Sequence, residues 1–236
     1  MNSASARYRD GSYDFNFGDD VWKAREMQKV IALIPDMTAI NSYADVGCGN
    51  GGVFVSLYRE LVRNGFPLQR AVGYDVASAY AETAARNPDV EFRTADFLED
   101  GCEFDLVTLH DVIEHVTTPQ VLLAGIARRS RYVALHIPLD DRLSVLLAND
   151  WNRRISIVGH ISMWNVASAL NILTASGLLP LKCRFTPGFS APSGRVRWLQ
   201  KAALPIRMLA YALSPGLTAT TVGGVSLAVL CKGARP

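Results

Sequence analysis

The segment Ala44-Asp45-Val46-Gly47-Cys48-Gly49-Asn50-Gly51-Gly52 decides the fold of this chain. It follows an apolar run, Tyr43–Val46, that is typical of a short buried strand, and it precedes a stretch with helical spacing, Val53–Asn64. Glycine has no Cβ, so the backbone can turn sharply here and approach a bound molecule closely. A strand, a glycine loop and a helix in this order predict the nucleoside-binding turn of an α/β sheet.

Strands alternate with helices outward from this loop. We therefore predict a doubly wound α/β fold, in which a mostly parallel sheet is covered by helices on both faces. The predicted strands are Tyr43–Val46, Ala71–Tyr74, Val90–Arg93, Leu106–Leu109, Tyr132–Ile137, Leu179–Phe185 and Val225–Cys231. The predicted helices are Trp22–Ile34, Val53–Asn64, Ala77–Arg86, Pro119–Arg129, Val166–Ser176 and one around Trp198–Leu213.

The length of 236 residues fits one domain with added loops. We expect a single domain over residues 1–236, with an N-terminal arm and helix at residues 1–41. The alternation of strands and helices weakens after Leu139, and a turn rich in proline and glycine precedes the last helix. Residues 139–162 and 187–222 are therefore candidate lid or acceptor-binding segments.

Composition narrows the class of protein. A net charge of +2 predicts no nucleic-acid partner. The N-terminus has no apolar core of a secretion signal, and the apolar stretch 202–217 is too short and too interrupted to span a bilayer, although it can lie against a membrane surface. The cysteines form no C-x-x-C pair, which argues against a zinc ribbon or a disulfide framework and favours the cytoplasm. They are Cys48, Cys102, Cys183 and Cys231.

The charge beside the glycine loop distinguishes between two cofactors. The spacing Gly47-x-Gly49-x-x-Gly52 also fits the dinucleotide fingerprint, so the glycines alone leave NAD and S-adenosylmethionine (AdoMet) open. A carboxylate at Asp45 would repel a pyrophosphate, whereas AdoMet carries an ammonium and a sulfonium and has no phosphate. Asp45 therefore favours AdoMet and disfavours an NAD-dependent oxidoreductase.

Acidic residues at the ends of the next two strands complete the predicted nucleoside site. Asp75 is positioned to accept hydrogen bonds from both ribose hydroxyls, a role shared by the two cofactor classes. Asp96 can accept from an adenine amino group or, alternatively, cap a turn, and Phe97 can stack or pack at the base.

The ordered motifs resemble those of class I AdoMet-dependent methyltransferases. The resemblance rests on the glycine loop, Asp75, Asp96-Phe97, Phe104–Val107 and Asp111–Val116. It implies a seven-stranded sheet in the order 3-2-1-4-5-7-6 with strand 7 antiparallel, and AdoMet as the cofactor. The candidate cofactor-binding residues are Asp45, Gly47, Cys48, Gly49, Asn50, Gly51, Asp75, Val76, Asp96, Phe97 and His110.

The chemistry is expected where strands 4 and 5 end. Methyl transfer to a hydroxyl requires an acceptor held at attack distance and a group that removes its proton, for which a histidine is suited. The catalytic candidates are His115, His160, Asp111 and His136.

The spacing of Asp111, Glu114 and His115 supports a second reading of this region. In a helix these residues would share one face, and a similar grouping completed by a later histidine holds a divalent ion in small-RNA 2′-O-methyltransferases and in a ubiquinone-pathway O-methyltransferase. Asp111, Glu114, His115 and His160 are therefore an alternative metal site, with His136 as another fourth ligand. The opposing interpretation is structural, with Glu114 near a helix start and His115 bonded to backbone, and we do not expect a metal.

A narrower likeness concerns the acceptor. Trp22–Ala24, His136–Asp140 and Gly159–Ile161 resemble bacterial methyltransferases encoded among genes of surface-polysaccharide and other secondary biosynthesis. This resemblance favours a small-molecule acceptor, namely a hydroxyl of a sugar, glycolipid or secondary metabolite. A non-catalytic AdoMet-binding or regulatory protein is the main competing function, and both a monomer and a homodimer stay open.

Overall fold

The computed structural model describes residues 18–192 and 204–235. The first part of the predicted N-terminal arm and the start of the helix predicted around Trp198–Leu213 lie outside these residues.

Seven strands form one sheet in the order β3-β2-β1-β4-β5-β7-β6. Strand β7 runs antiparallel to both of its neighbours, and the other pairs are parallel. The strands are β1 (Ser42–Val46), β2 (Arg70–Asp75), β3 (Glu91–Thr94), β4 (Phe104–His110), β5 (Ser130–Pro138), β6 (Leu179–Thr186) and β7 (Ser226–Lys232). The predicted strand order, including the antiparallel last strand, is confirmed.

Helices cover both faces of this sheet, as predicted. They are α1 (Asp20–Ile31), α2 (Gly52–Arg63), α3 (Ala81–Arg86), α4 (Phe97–Asp100), α5 (Pro119–Arg129), α6 (Leu143–Leu147), α7 (Trp151–Arg153), α8 (Val166–Ala175), α9 (Leu204–Leu213) and α10 (Pro215–Thr220). A π-helical turn, Arg154–Val158, follows α7. Helices α4, α6, α7 and α10 were not predicted, and α3 begins four residues later than expected.

Local signals explain where these helices start and stop. Helix α5 begins with Pro119, whose missing N–H costs nothing in the first turn. Helix α8 begins after a capping box between Asn165 and Ser168, and the chain leaves it through Gly177 in a left-handed conformation. These signals are readable in the sequence, which is why both helices were predicted closely.

Two apolar clusters hold the helices to the sheet. Helices α5 and α8 pack on one face, where Leu123 and Leu173 are fully buried. Helices α1 and α2 pack on the other face through Met27, Phe54 and their neighbours. Burying side chains of this size contributes about 1.5–3 kcal/mol each. The central strands are therefore buried on both sides, and their carboxyl ends open onto one common edge.

Residues 139–162, the first candidate lid, fold into α6, α7 and the π-helical turn. Asp140, Val145 and His160 within this segment are buried. Its role as a lid stays a prediction, as does that of residues 187–222.

The remaining sequence expectations concern cysteines and membranes. All four cysteines are free. Among the described residues, no helix combines the length and the apolar character that crossing a bilayer requires.

Candidate active site

The glycine loop is tied to the end of β2. The backbone N–H groups of Gly47 and Cys48 both donate to the carbonyl of Tyr74, at 2.8 and 3.0 Å. Gly47 has φ +77°, and a Cβ at this position would lie 2.7 Å from a methyl group of Val112. Only glycine fits this backbone and this space. The loop therefore contacts both β2 and the turn that follows β4.

Two further loop residues support its shape. The side chain of Asn50 accepts a hydrogen bond from the backbone of Gly52 at 3.0 Å, and the carbonyl of Cys48 accepts one from Gly51 at 2.8 Å. The Cys48 side chain is buried. Gly49 and Gly51 both have positive φ.

Asp75 closes β2 beside this loop. Its Oδ2 accepts from the Gly49 backbone at 2.7 Å, and its Oδ1 accepts from Ala77 at 2.9 Å. Burial raises its pKa despite these bonds. The next residue, Val76, exposes 60% of its surface at the same edge. A carboxylate and an open apolar surface thus lie together where a nucleoside was predicted.

Asp45 lies buried on the other side of the loop. Thr108 donates to its Oδ1 at 2.6 Å, and the hydroxyl of Tyr43 lies 2.9 Å from that of Thr108. Burial raises the pKa of Asp45 to about 8. A cation bound here would lower that pKa again, because it favours the charged form of the carboxyl.

Asp20 is a functional candidate that sequence reasoning missed. It is the first residue of α1, and its carboxylate lies so close to Gly52 that a Cβ there would overlap with it. Burial, followed by the neighbouring charge of Asp19, raises its pKa. No local pattern could reveal this contact, because it depends on how α1 packs against α2.

Asp96 and Phe97 occupy the end of β3, as expected. The Asp96 side chain is exposed and caps α4 by accepting from the Leu98 backbone at 2.8 Å. The ring of Phe97 is buried and packs edge-on against Tyr74, with 5.2 Å between ring centroids. Phe97 therefore packs in the core, and a stacking role for its ring does not agree with this placement.

His110 ends β4 with both ring nitrogens buried. Its Nε2 lies 3.6 Å from Oδ1 of Asp45, beyond hydrogen-bond distance, and neither nitrogen has a hydrogen-bond partner among the described residues. Burial, followed by the charge of His136, lowers its pKa to about 3. A buried neutral imidazole with unused hydrogen-bonding capacity, directly beside Asp45, indicates a place where a polar ligand group would be received.

Asp111 does not begin a helix, so the helix on which the alternative four-residue metal site depended is absent. Its φ is +54°, and the following residues form a turn rather than a helix. Its carboxylate bridges Lys23 of α1, at 2.9 Å, and Nδ1 of His136, at 2.7 Å. Although burial opposes the change, the charges of Lys23 and His136 hold the pKa of Asp111 well below its usual range.

His136 is held on both sides of its ring. Its Nε2 lies 2.9 Å from the Thr186 hydroxyl on β6, opposite the contact with Asp111. The ring of Trp22 lies edge-on at 6.4 Å between centroids. His136 thus links α1, β4 and β6, and it is not a member of the group that Glu114, His115 and His160 form.

Glu114, His115 and His160 form a separate group. One ligand atom from each of them can be chosen so that all lie within 4.8 Å of one another, and Asp111 is not a member. Neither carboxyl oxygen of Glu114 has a hydrogen-bond partner among the described residues, and the side chain is fully buried. Burial and then the charge of Asp111 raise its pKa well above the usual range.

The two histidines of this group are oriented through their Nδ1 atoms. Nδ1 of His115 donates to the carbonyl of Gly159 at 3.0 Å, and Nδ1 of His160 donates to Asp140 at 2.9 Å. Both acceptors fix the proton on Nδ1, so Nε2 carries the lone pair in each neutral ring. Burial and then His160 lower the pKa of His115 to about 4.

Asp140 holds His160 in this group. It was not predicted as a functional residue. Besides His160, its carboxylate binds Arg154 and, at 3.0 Å, Arg142. These partners keep its pKa low despite burial. Its position two residues after β5 is the sequence signal that could have revealed it.

The sequence comparison bears on this arrangement directly. A family model described as a methyltransferase domain matches residues 22–181, more than half of the chain. The chain belongs to this methyltransferase family. The match begins within α1 and ends within β6, so it includes the glycine loop and all of the histidines discussed above. The comparison with curated proteins returned no match.

Solved structures with similar folds include several methyltransferases. A chain of a complex containing the Haloferax volcanii Trm112 methyltransferase activator has a TM-score of 0.63 and 16% identity, covering 100% of this chain and 99% of that chain. Magnesium protoporphyrin IX methyltransferase from Synechocystis PCC 6803 has a TM-score of 0.57 and 17% identity, covering 99% of this chain and 95% of that chain. Geranyl diphosphate C-methyltransferase from Streptomyces coelicolor A3(2) has a TM-score of 0.61 and 12% identity, covering 89% and 77%. At these identities the likeness shows the fold, and the family match identifies the methyltransferase domain.

Proposed function

We propose that this methyltransferase uses AdoMet to methylate a hydroxyl of a small molecule, namely a sugar, a glycolipid or a secondary metabolite. The observation that carries the cofactor assignment is the cluster of carboxyl groups around the glycine loop. Asp45 and Asp20 both have raised pKa values there, so the region favours a cation. A pyrophosphate would meet the opposite electrostatic preference, which again disfavours NAD.

Different residues of the site would bind different parts of the cofactor. Asp45, with Asp20 nearby, would hold the ammonium group, and the unpaired nitrogens of His110 offer a hydrogen-bond partner for the adjacent carboxylate. Asp75 retains lone pairs for the ribose hydroxyls, and Val76 would cover the base. Solved structures of similar fold contain AdoMet or S-adenosylhomocysteine, which supports the same assignment. When bound, AdoMet supplies an electrophilic methyl group on a positively charged sulfur.

We assign the general base to His160. Its Nδ1–H donates to the Asp140 carboxylate, so an imidazolium formed by proton uptake at Nε2 would be stabilised by the charge of Asp140. His115 donates instead to a neutral carbonyl and lacks this stabilisation. The acceptor oxygen would form a bond to the methyl carbon as the carbon–sulfur bond breaks, and the hydroxyl proton would pass to Nε2 of His160.

A divalent ion bound by Glu114, His115 and His160 is a second candidate. The specific observation in its favour is the unpaired, fully buried carboxyl of Glu114 beside two oriented imidazoles. Hydrogen bonds from both Nδ1 atoms are the outer contacts that metal-binding histidines use. The ion would orient an acceptor hydroxyl and lower its pKa. His160 would then be a ligand rather than a base.

Two measurements test the proposal. The purified chain is titrated with AdoMet, and S-adenosylhomocysteine formation is then assayed with a library of sugars, phenols and lipid-linked glycans. We expect AdoMet binding, turnover with at least one hydroxyl acceptor and no response to NAD. Binding of AdoMet without turnover would favour the non-catalytic alternative, and binding of NAD instead would refute the cofactor assignment.

Metal content distinguishes the two roles of His160. If the chain binds Mn²⁺ or Zn²⁺ in calorimetry, Glu114→Gln should abolish that binding, and a chelator should abolish turnover. If His160 is the base, turnover should survive the chelator.

A further inference from the structure

Helix α9 presents an apolar face to solvent. Ile206, Leu209 and Leu213 expose 69%, 64% and 78% of their surfaces. With Pro205, Met208 and Ala212 they account for every exposed position of the helix. The spacing of these six residues places them along one side of the helix.

The opposite side of α9 carries its polar groups. The hydroxyl of Tyr211 donates to the carbonyl of Phe185 at 2.7 Å, which fixes the rotation of the helix against β6. Arg207 also lies on this partly buried side. In most surface helices of globular proteins the apolar side faces the core. In α9 the aliphatic side chains face solvent and the polar groups face the sheet.

The apolar surface continues onto two neighbouring helices. Leu217 of α10 is 64% exposed, and Leu143, Leu146 and Leu147 of α6 are also exposed. Helix α6 is bound to the segment after α10, because the backbone of Ser144 donates to the Thr221 carbonyl at 3.1 Å. We call the exposed apolar residues of α6, α9 and α10 the apolar patch.

Positive charge is concentrated in the same part of the chain. All 22 acidic residues lie at or before Asp150, whereas ten of the 24 basic residues follow it. Although the net charge of the whole chain is only +2, the residues after Asp150 carry a net positive charge. At the patch itself, burial and the guanidinium groups of Arg154 and Arg207 lower the pKa of Arg142, which precedes α6. These three arginines thus lie near one another, and Asp140 binds two of them, Arg142 and Arg154.

We propose that the apolar patch is a docking surface for an anionic lipid bilayer, with α9 lying in the plane of the interface. Aliphatic side chains on a helix from a part of the chain with a net excess of basic residues match an interfacial helix, which gains from both acyl chains and anionic headgroups. With ten residues, α9 is roughly 15 Å long, about half of the hydrocarbon thickness. It lies on the membrane and does not cross it.

A second copy of the chain fits the patch less well. A twofold interface would bring together two copies of a surface drawn from the part of the chain with a net excess of basic residues. A nucleic acid would meet the arginines but would leave the aliphatic face without a partner.

The patch adjoins the candidate active site. Asp140 accepts hydrogen bonds both from Arg142, at the start of α6, and from His160. Docking would therefore hold the site near the lipid headgroups. The docking proposal itself does not depend on the function proposed above.

Flotation of the full chain with lipid vesicles tests this proposal. The vesicles are pure phosphatidylcholine or phosphatidylcholine with about 30% phosphatidylglycerol. We expect binding to the anionic vesicles that weakens at about 0.5 M NaCl. The double variant Leu209→Asp, Leu213→Asp should lose about tenfold in partitioning for each leucine. Val62→Asp, at an exposed apolar position of α2, is the matched control and should bind like the wild type.

Several outcomes would overturn the proposal. They are the absence of vesicle binding by the wild type, equal binding by the double variant, and equal binding to neutral and anionic vesicles. Self-association that the double variant loses, without vesicle binding, would assign the patch to a second copy instead. Far-UV circular dichroism and AdoMet affinity, both expected to be unchanged, show that the double variant is folded and separate this test from that of the proposed function.

Discussion

Nδ1 of His136 lies 2.7 Å from Oδ1 of Asp111, so the side chain at the end of β4 turns toward β5 and away from the Glu114 group. Lys23 binds the other oxygen of the same carboxylate. This chain of contacts joins α1 to the ends of the two central strands.

Replacing Lys23 should reveal how much this cluster stabilises the fold. Lys23→Met leaves the partly buried carboxylate of Asp111 with one partner fewer, and we expect a loss of about 1–3 kcal/mol in the free energy of unfolding. Lys29→Met, which removes a more exposed pair with Glu26, should cost less than about 1 kcal/mol. Urea denaturation measures both. Equal effects of the two variants would contradict a special role of Lys23.

Asp75→Ala should abolish detectable AdoMet binding, because it removes the expected ribose contacts and the acceptor for the Gly49 backbone. Isothermal titration calorimetry gives the affinity. Asp105→Ala is the matched control, since Asp105 also accepts backbone hydrogen bonds, from Asn41 and Ser42, but lies at the opposite end of the strands. It should lower stability and leave the affinity of the folded protein unchanged. If Asp75→Ala still binds AdoMet normally, the assignment of the nucleoside site is wrong.

AdoMet affinity should rise as the pH increases from about 6 toward 8. The pKa of Asp45 is raised to about 8 in the unbound protein, with Asp75 adding to the effect of burial, and an ammonium ligand would lower it. Binding below pH 8 therefore releases a proton, which can weaken affinity by up to about tenfold for each unit of decreasing pH. Calorimetry in buffers of different ionisation enthalpy measures the proton release.

Asp45→Asn is the control for this pH dependence. Asparagine can still accept from Thr108, but it cannot titrate. We expect weaker binding that varies little over the same pH range. A variant that retains the pH dependence of the wild type would transfer the effect to another carboxyl group with a raised pKa, of which Asp20 and Asp75 are the candidates.

His160→Ala should lower kcat by about a hundredfold or more, the range expected for loss of a general base. Asp140→Asn should lower it by a smaller factor, because it removes the charge that stabilises the imidazolium and keeps a side-chain oxygen for His160. It also removes the ion pairs with Arg142 and Arg154, so the stability of this variant is measured alongside. The dissociation constant of AdoMet should change little in either variant. The rates are measured with an acceptor identified from the library. A large loss of AdoMet affinity with unchanged kcat would argue for a cofactor-binding role instead.

The fold was predictable because its signals are local. The glycine loop, the capping residues around α8 and the apolar strand runs each act within a few residues, and the sheet order followed from the resemblance built on them. Asp45, Asp75 and the loop glycines could be named for the same reason.

The rest of the site depends on packing between distant segments. Asp20 and Lys23 reach the sheet only because α1 packs against it. The functional role of Asp140 depends on its hydrogen bond with His160, which lies twenty residues later in the sequence. The shared helix face that Asp111, Glu114 and His115 would have in a helix is absent, because Asp111 adopts a left-handed backbone and contacts Lys23 and His136 instead. Spacing alone carries no information about such contacts.

Strand β7 lies between β5 and β6 although it follows both of them along the chain. During synthesis, β5 and β6 therefore leave the ribosome before the strand that joins them, and their hydrogen-bonding edges stay open until Ser226–Lys232 has emerged. The nascent chain is thus most exposed to misassociation before β7 has emerged, when a chaperone would protect it best.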